Sequence, residues 1–267
     1  MRRVVRRAFD IRRGWAIAVL GVTILGAADA LGQASAEGRL LARPVAAAQR
    51  GRAAVAVAPM GLLTLSTDSV SADAGRGALL YVPASYRPEH PLPLVVMLHG
   101  AGGSPRGGLR PFIALADSAG LILLAPQSRG ATWDAVRGRF GPDVTVIDRM
   151  LRHVFAHYAV DTTHLAVAGF SDGASYALSL GITNGDLFTH VIAFSPGFMV
   201  PARQRGEPRL FVSHGRQDPI LSIDRCSRPI VRRVRDAGYD VRYEEFDGGH
   251  TVPPEIARRA LEWLATR

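Results

Sequence analysis

From Ala78 onward, short unbroken apolar runs alternate with longer stretches in which apolar residues recur at helical spacing. ALLYVP and PLPLVVMLHG read as strands, the second a continuous apolar run closed by glycine, as expected of a strand buried on both faces. PRGGLRPFIALADSAG turns helical toward its end, LILLAPQ is a strand, PDVTVIDRMLRHVFAHYAV an amphipathic helix, and HLAVAGF a strand. DGASYALSLGITNG follows as a helix. HVIAFSP, RLFVSHG and VRYEEF are strands, with helices RCSRPIVRRVRDAG and PPEIARRALEWLATR around the last of them. Such alternation predicts an α/β domain: a mostly parallel central sheet with helices on both faces, over 76–267. Residues 37–75 are Ala- and Arg-rich with no sustained period, which predicts a linker or poorly ordered arm. There is no internal repeat and no second core.

An apolar share of 48% in 267 residues is enough for one substantial core. The formal charge of +9 raises nucleic acid as a partner, but the charge is unevenly placed. Six arginines precede Gly14, and every basic residue of the chain is arginine. The rest are scattered without the basic face or groove-reading motif that nucleic-acid binding requires, so that function is set aside. MRRVVRRAFDIRRGW followed by AIAVLGVTILGAADAL and Ala34-Ser35-Ala36 has the charged, apolar and small-residue parts of a secretory signal, assigned to 1–36. Arg6-Arg7-Ala8-Phe9 resembles the core of a twin-arginine signal, although Asp10 fits that pattern poorly. The expected location is periplasmic or extracellular, with an uncleaved membrane tether as the alternative; the apolar stretch is short of the ~20 residues a bilayer demands. Cys226 is the only cysteine, so no intramolecular disulfide exists.

The unusual polar residues sit where the predicted strands end, and in an open α/β sheet ligands bind beyond those carboxyl ends. LVVML ends at His99-Gly100-Ala101-Gly102-Gly103, LAVA at Gly169-Phe170-Ser171, LFV at His214-Gly215-Arg216-Gln217-Asp218, and YEEF at Asp247-Gly248-Gly249-His250. Alone, GFSDG is equally well read as a helix-capping serine in a glycine turn. Ser, Asp and His in that chain order after successive strands are what a nucleophile-elbow hydrolase needs. Through LHGAGGS, GFSDGA, HGRQDPI and GGHTVPPE the chain resembles the α/β-hydrolase family, in particular single-domain carboxylesterases of the phospholipase/carboxylesterase and polyhydroxybutyrate depolymerase-like branches. The resemblance implies ester hydrolysis through an acyl-enzyme, with no cofactor.

On that reading Ser171 is the nucleophile and His250 its base, because a serine hydroxyl is weakly nucleophilic without one. Asp218 orients the imidazole; Asp224 and Asp247 are the competing acids. The backbone N–H groups of Asp172 and Ala101, with Gly102 as alternative to Ala101, are the expected oxyanion donors. His99 is expected to support the glycine loop. The segment between HVIAFSP and RLFVSHG is too short for a covering domain, which predicts an open cleft walled by Phe198, Met199 and Trp133, with core packing the alternative for Trp133. His153 and His157 share a helical face but lack a third ligand, so no metal is expected, and Cys226 reads as a packing residue. A peptidase or amide hydrolase of the same fold, or a non-catalytic module that kept it, are the alternatives; the fold does not supply the substrate or the oligomeric state.

Overall fold

The computed structural model describes residues 32–44, 59–66 and 77–266. Eight strands form one sheet: β1 (Gly61–Leu65), β2 (Ala78–Val82), β3 (Leu92–Leu98), β4 (Ile122–Pro126), β5 (Val160–Phe170), β6 (His190–Phe194), β7 (Arg209–Gly215) and β8 (Val241–Phe246). Their spatial order is β1-β2-β4-β3-β5-β6-β7-β8; β1 and β2 run antiparallel to their neighbours and every other pairing is parallel. After β2 the α-helices are α1 (Pro105–Leu109), α2 (Ala116–Ala119), α3 (Pro142–His157), α4 (Asp172–Thr183), α5 (Ser227–Asp236) and α6 (Pro254–Leu264).

The continuous apolar runs are strands covered on both sides, as their pattern predicts. Alternation along β3 sends Leu94, Val96 and Leu98 into one core with α3, α4 and α5, and Val95 and Met97 into another with Phe112, Ala116, Ile256 and Leu264. Strand β5, at the centre of the sheet, carries the nucleophile candidate at its end.

The expected arm at 37–75 is corrected in two places. Residues 61–65 form β1, an edge strand whose alternating exposure gives only a short period-two signal, GLLTL. Residues 32–44 dock on the body: Leu40 and Ala42 are buried in the first core. Their backbone is satisfied by side chains distant in sequence rather than by a strand partner, which is why no periodicity announces them. Asn184, fully buried, accepts from the Leu40 N–H at 2.9 Å and donates to the Gly38 carbonyl at 2.7 Å. Asp148 accepts from the N–H groups of Leu41 and Ala42 at 2.5 and 2.6 Å. Arg39 forks onto Asp186 at 2.6 and 2.8 Å and holds that carboxyl down at about 2. Replacing Asn184 strands a buried N–H and a buried carbonyl at once. Asn184→Ala is expected to cost about 3 kcal/mol, read as a fall of roughly 6–12 °C in Tm; a shift under about 2 °C would show that 38–40 contributes no stability through this residue.

Candidate active site

Ser171 occupies the turn between β5 and α4 with φ 57° and ψ −121°, in the left-handed half of the map that a non-glycine residue enters at a cost of roughly 1–3 kcal/mol. The surroundings hold it there. Its N–H donates to the Phe194 carbonyl at 2.9 Å, and its carbonyl accepts from the N–H groups of Ala174 and Ser175 at 2.9 and 3.1 Å. Both glycines of the GFSDG motif have a steric reason. A Cβ on Gly169 would overlap the Gly173 carbonyl, and one on Gly173 would overlap the Leu98 and His99 carbonyls, so only glycine lets α4 approach β5 and β3 so closely.

The three strand-end residues converge. His250 Nε2 lies 2.9 Å from Ser171 Oγ, and His250 Nδ1 lies 2.6 Å from Asp218 Oδ2. The ring of Phe170 packs on the imidazole with centroids 4.7 Å apart. The competing acids are elsewhere: Asp247 pairs with Arg216 at 2.8 Å and Asp224 with Arg228 at 2.5 Å. The Asp218 side chain is wholly buried. Burial alone would raise its carboxyl, but hydrogen bonds from the Leu221 N–H, His250 and the Ile220 N–H outweigh that and hold it below the ordinary carboxylate value.

His214 is part of this arrangement and was not expected there. It is fully buried, and desolvation is the main cause that lowers its pKa. Its Nε2–H donates to the Leu221 carbonyl at 2.8 Å and faces Asp218 Oδ2 at 3.1 Å, while Nδ1 accepts from Ser227 Oγ. Asp218 therefore accepts from the Ile220 and Leu221 N–H groups on Oδ1 and from His250 on Oδ2, with His214 Nε2 beside Oδ2 at 3.1 Å. The available signal was HGRQD itself, which puts a histidine four residues before the acid.

The glycine loop after β3 is braced from below. His99 is buried, and burial lowers its pKa; Nδ1–H donates to the Gly100 carbonyl at 2.8 Å, and Nε2 accepts from the Ser128 N–H at 3.2 Å. The Gly102 N–H is committed to the Ala131 carbonyl at 2.6 Å, which removes it as an oxyanion donor. The N–H groups of Ala101 and Asp172 have no protein acceptor among the described residues. Thr132 Oγ1 donates to Asp172 Oδ2 at 2.7 Å, tying the loop after β4 to the start of α4.

Trp133 is corrected: it is fully buried, sandwiched between His99 and Tyr176, and its indole N–H donates to the His99 carbonyl at 2.8 Å. It braces the glycine loop and presents no exposed surface. Met199 is likewise buried in the core, whereas Phe198 stays partly exposed. Sequence periodicity could not separate these, because a loop has no regular inside and outside. A groove of about 760 Å³ reaches the site between Phe170, His250, Val252 and the chain around Pro111, Ala114 and Leu115. His153 and His157 stack on each other, and no cluster able to hold a metal occurs among the described residues. Cys226 is a partly buried free thiol whose pKa burial raises, the opposite of an activated cysteine.

This sheet order, with a serine on a strained strand-to-helix turn and a histidine and an acid from later strand ends beside it, defines an α/β-hydrolase fold. The family model described as "Putative esterase" matches residues 69–229, and the chain belongs to that family. Among curated relatives, a probable feruloyl esterase C of Aspergillus oryzae is 28% identical over 157 residues, which is 56% of this chain and 57% of the relative. A bifunctional acetylxylan esterase/xylanase of Neocallimastix patriciarum is 27% identical over 61% of this chain and 24% of its own. The chain thus spans a little over half the length of the feruloyl esterase relatives it matches. Among solved structures, esterase PE8 superposes with a TM-score of 0.57 at 23% identity, over 69% of this chain and 97% of its own. A ferulic acid esterase from Anaeromyces mucronatus, solved with ferulic acid, gives 0.58 at 17% identity, over 78% and 90%.

Proposed function

We propose that the protein is an exported serine carboxylesterase that hydrolyses short-chain or aryl esters. Ser171 Oγ attacks the ester carbonyl while His250 Nε2 takes its proton; Asp218 holds His250 Nδ1–H and stabilises the imidazolium. The N–H groups of Ala101 and Asp172 receive the oxyanion. His250 then returns its proton to the departing alkoxide, and water, activated by the same imidazole, releases the acid. The single observation that carries this reading is the unbroken chain from Ser171 Oγ to His250 to Asp218, at 2.9 and 2.6 Å.

The groove adds direction. The base must face the leaving oxygen, so the space that His250 lines accommodates the alcohol half of the ester, against Pro111, Ala114 and Val252. The segment between β6 and β7 contains no helix or strand, so an apolar lid of its own is missing from the described residues. The test is rate against concentration of a sparingly soluble aryl ester across its solubility limit, within a panel of graded acyl length. A smooth saturating curve with short acyl groups preferred is expected. An abrupt rise when droplets appear, or no turnover of any ester while a matched amide is cleaved, overturns it.

Export rests on the leader at 1–36, most of which lies outside the described residues; within the described residues no helix is long and apolar enough to cross a membrane. Mass spectrometry of protein from its native host is expected to find a mature N-terminus near Glu37. An intact Met1 on a cytoplasmic chain refutes export.

A further inference from the structure

Helix α4 carries three hydroxyl side chains at four-residue spacing, Ser175, Ser179 and Thr183, all fully buried on one face. Each does two things. As donors, their hydroxyls reach the carbonyl one turn back: Ser175 to Ser171 at 3.3 Å, Ser179 to Ser175 at 2.7 Å, Thr183 to Ser179 at 2.7 Å. As acceptors, they take the backbone N–H groups of the segment that leaves β6: Gly197 on Ser175 at 2.9 Å, Val200 on Ser179 at 2.9 Å, Ala202 on Thr183 at 3.2 Å. The Phe198 N–H shares Ser175 at 3.3 Å.

A segment lying on a helix has no ladder partner for its N–H groups. The hydroxyls replace that partner. Four helical residues rise about 6 Å, close to the reach of two extended residues, so rungs of a helix can serve an extended chain beside it. Serine and threonine inside a helix are neutral to unfavourable for helix formation by themselves. Three of them in register, each occupied on both sides, are a zipper between the nucleophile's helix and the segment 197–202. The zipper begins on the carbonyl of Ser171 itself, and Phe198 sits between its first and second rungs.

We propose that Ser175, Ser179 and Thr183 are positioning residues that fix the wall carrying Phe198 relative to Ser171, and so determine which acyl groups fit. This deepens the esterase reading and rests on it. Ser175 ties the wall to the nucleophile; Ser179 and Thr183 prevent its far end from lifting off α4. The wall is thereby held at one distance from the attacking oxygen instead of closing over substrate.

The test pairs Ser179→Ala and the near-isosteric Thr183→Val with the hydroxyl-retaining Thr183→Ser. Hydrogen-exchange mass spectrometry on intact protein is expected to show exchange across 197–203 rising on the order of ten-fold in the first two variants, with β5 unchanged. In the same variants the kcat/KM ratio between acetyl and hexanoyl aryl esters should shift by about five-fold, carried mainly by KM, because one misplaced wall is worth about one hydrogen bond of discrimination. Thr183→Ser should restore both. Unchanged exchange refutes the zipper. Raised exchange with an unchanged acyl ratio refutes its role in specificity. A wild-type protein that turns over no ester, while the variants still exchange faster, sinks the esterase reading and the specificity built on it but leaves the zipper standing.

Discussion

Ser171→Ala is expected to remove ester hydrolysis by about 10³-fold or more, with His250→Ala equally damaging and the double variant no worse than either, because a nucleophile and its base act as a unit. The geometry gives the reason: removing Oγ leaves His250 Nε2 with nothing to deprotonate, and removing the imidazole leaves the hydroxyl at its own weak nucleophilicity. The fold should survive, since Ser171 is held by its backbone and not by its side chain. Purified Ser171→Ala with normal circular dichroism and near-normal turnover would refute the mechanism. A fluorophosphonate that labels wild type and not this variant would tie the loss to the hydroxyl.

Asp218→Asn is the second large effect, and it is severe for a reason peculiar to this site. One carboxylate oxygen accepts from the Ile220 and Leu221 N–H groups, and the other accepts from the His250 ring with the His214 ring 3.1 Å away. An amide has one accepting end. Whichever way it turns, its NH₂ faces N–H groups: against the backbone it breaks the turn, against the rings it forces His250 into the tautomer that cannot take the serine proton. A loss of about 10³–10⁴-fold in kcat is expected, with a measurable fall in stability. Asp247→Asn should be nearly silent, since Asp247 is exposed and pairs with Arg216, away from His250. If Asp247→Asn is the damaging change, the acid is misassigned.

Much of this was readable from the chain because the chemistry lies at strand ends and the strands are unbroken apolar runs. Leu94–Leu98 and Ile122–Pro126 are apolar throughout because both faces are covered. The strand ends that carry Ser171, Asp218 and His250 could be located by counting along such runs. What escaped was held by long-range hydrogen bonds. The docked 38–42 segment has no period because Asn184 and Asp148 satisfy its backbone. Trp133 looked like a cleft residue because it follows a strand end, yet its indole N–H found the His99 carbonyl and its rings found Tyr176. His214 stood in plain view beside Asp218, but only the fold brings its Nε2 onto the carboxylate and Ser227 onto its other nitrogen.

The docked N-terminal segment bears on the order of events in a cell. Ala34-Ser35-Ala36, the expected cleavage site, lies in a helical turn at 32–36, with Ser35 buried and its Oγ donating to the Gly141 carbonyl at 2.5 Å. A peptidase has to draw its substrate into an extended strand, and here that would mean unwinding the turn and breaking Ser35 from Gly141. The Arg39 fork onto Asp186 and the Asn184 clasp on Gly38 and Leu40 stand immediately behind it. Under the proposed export, removal of the leader has to precede the docking of residues 38–42. Maturation is then a race between a protease and a clasp, in which a chain that folds first keeps its leader.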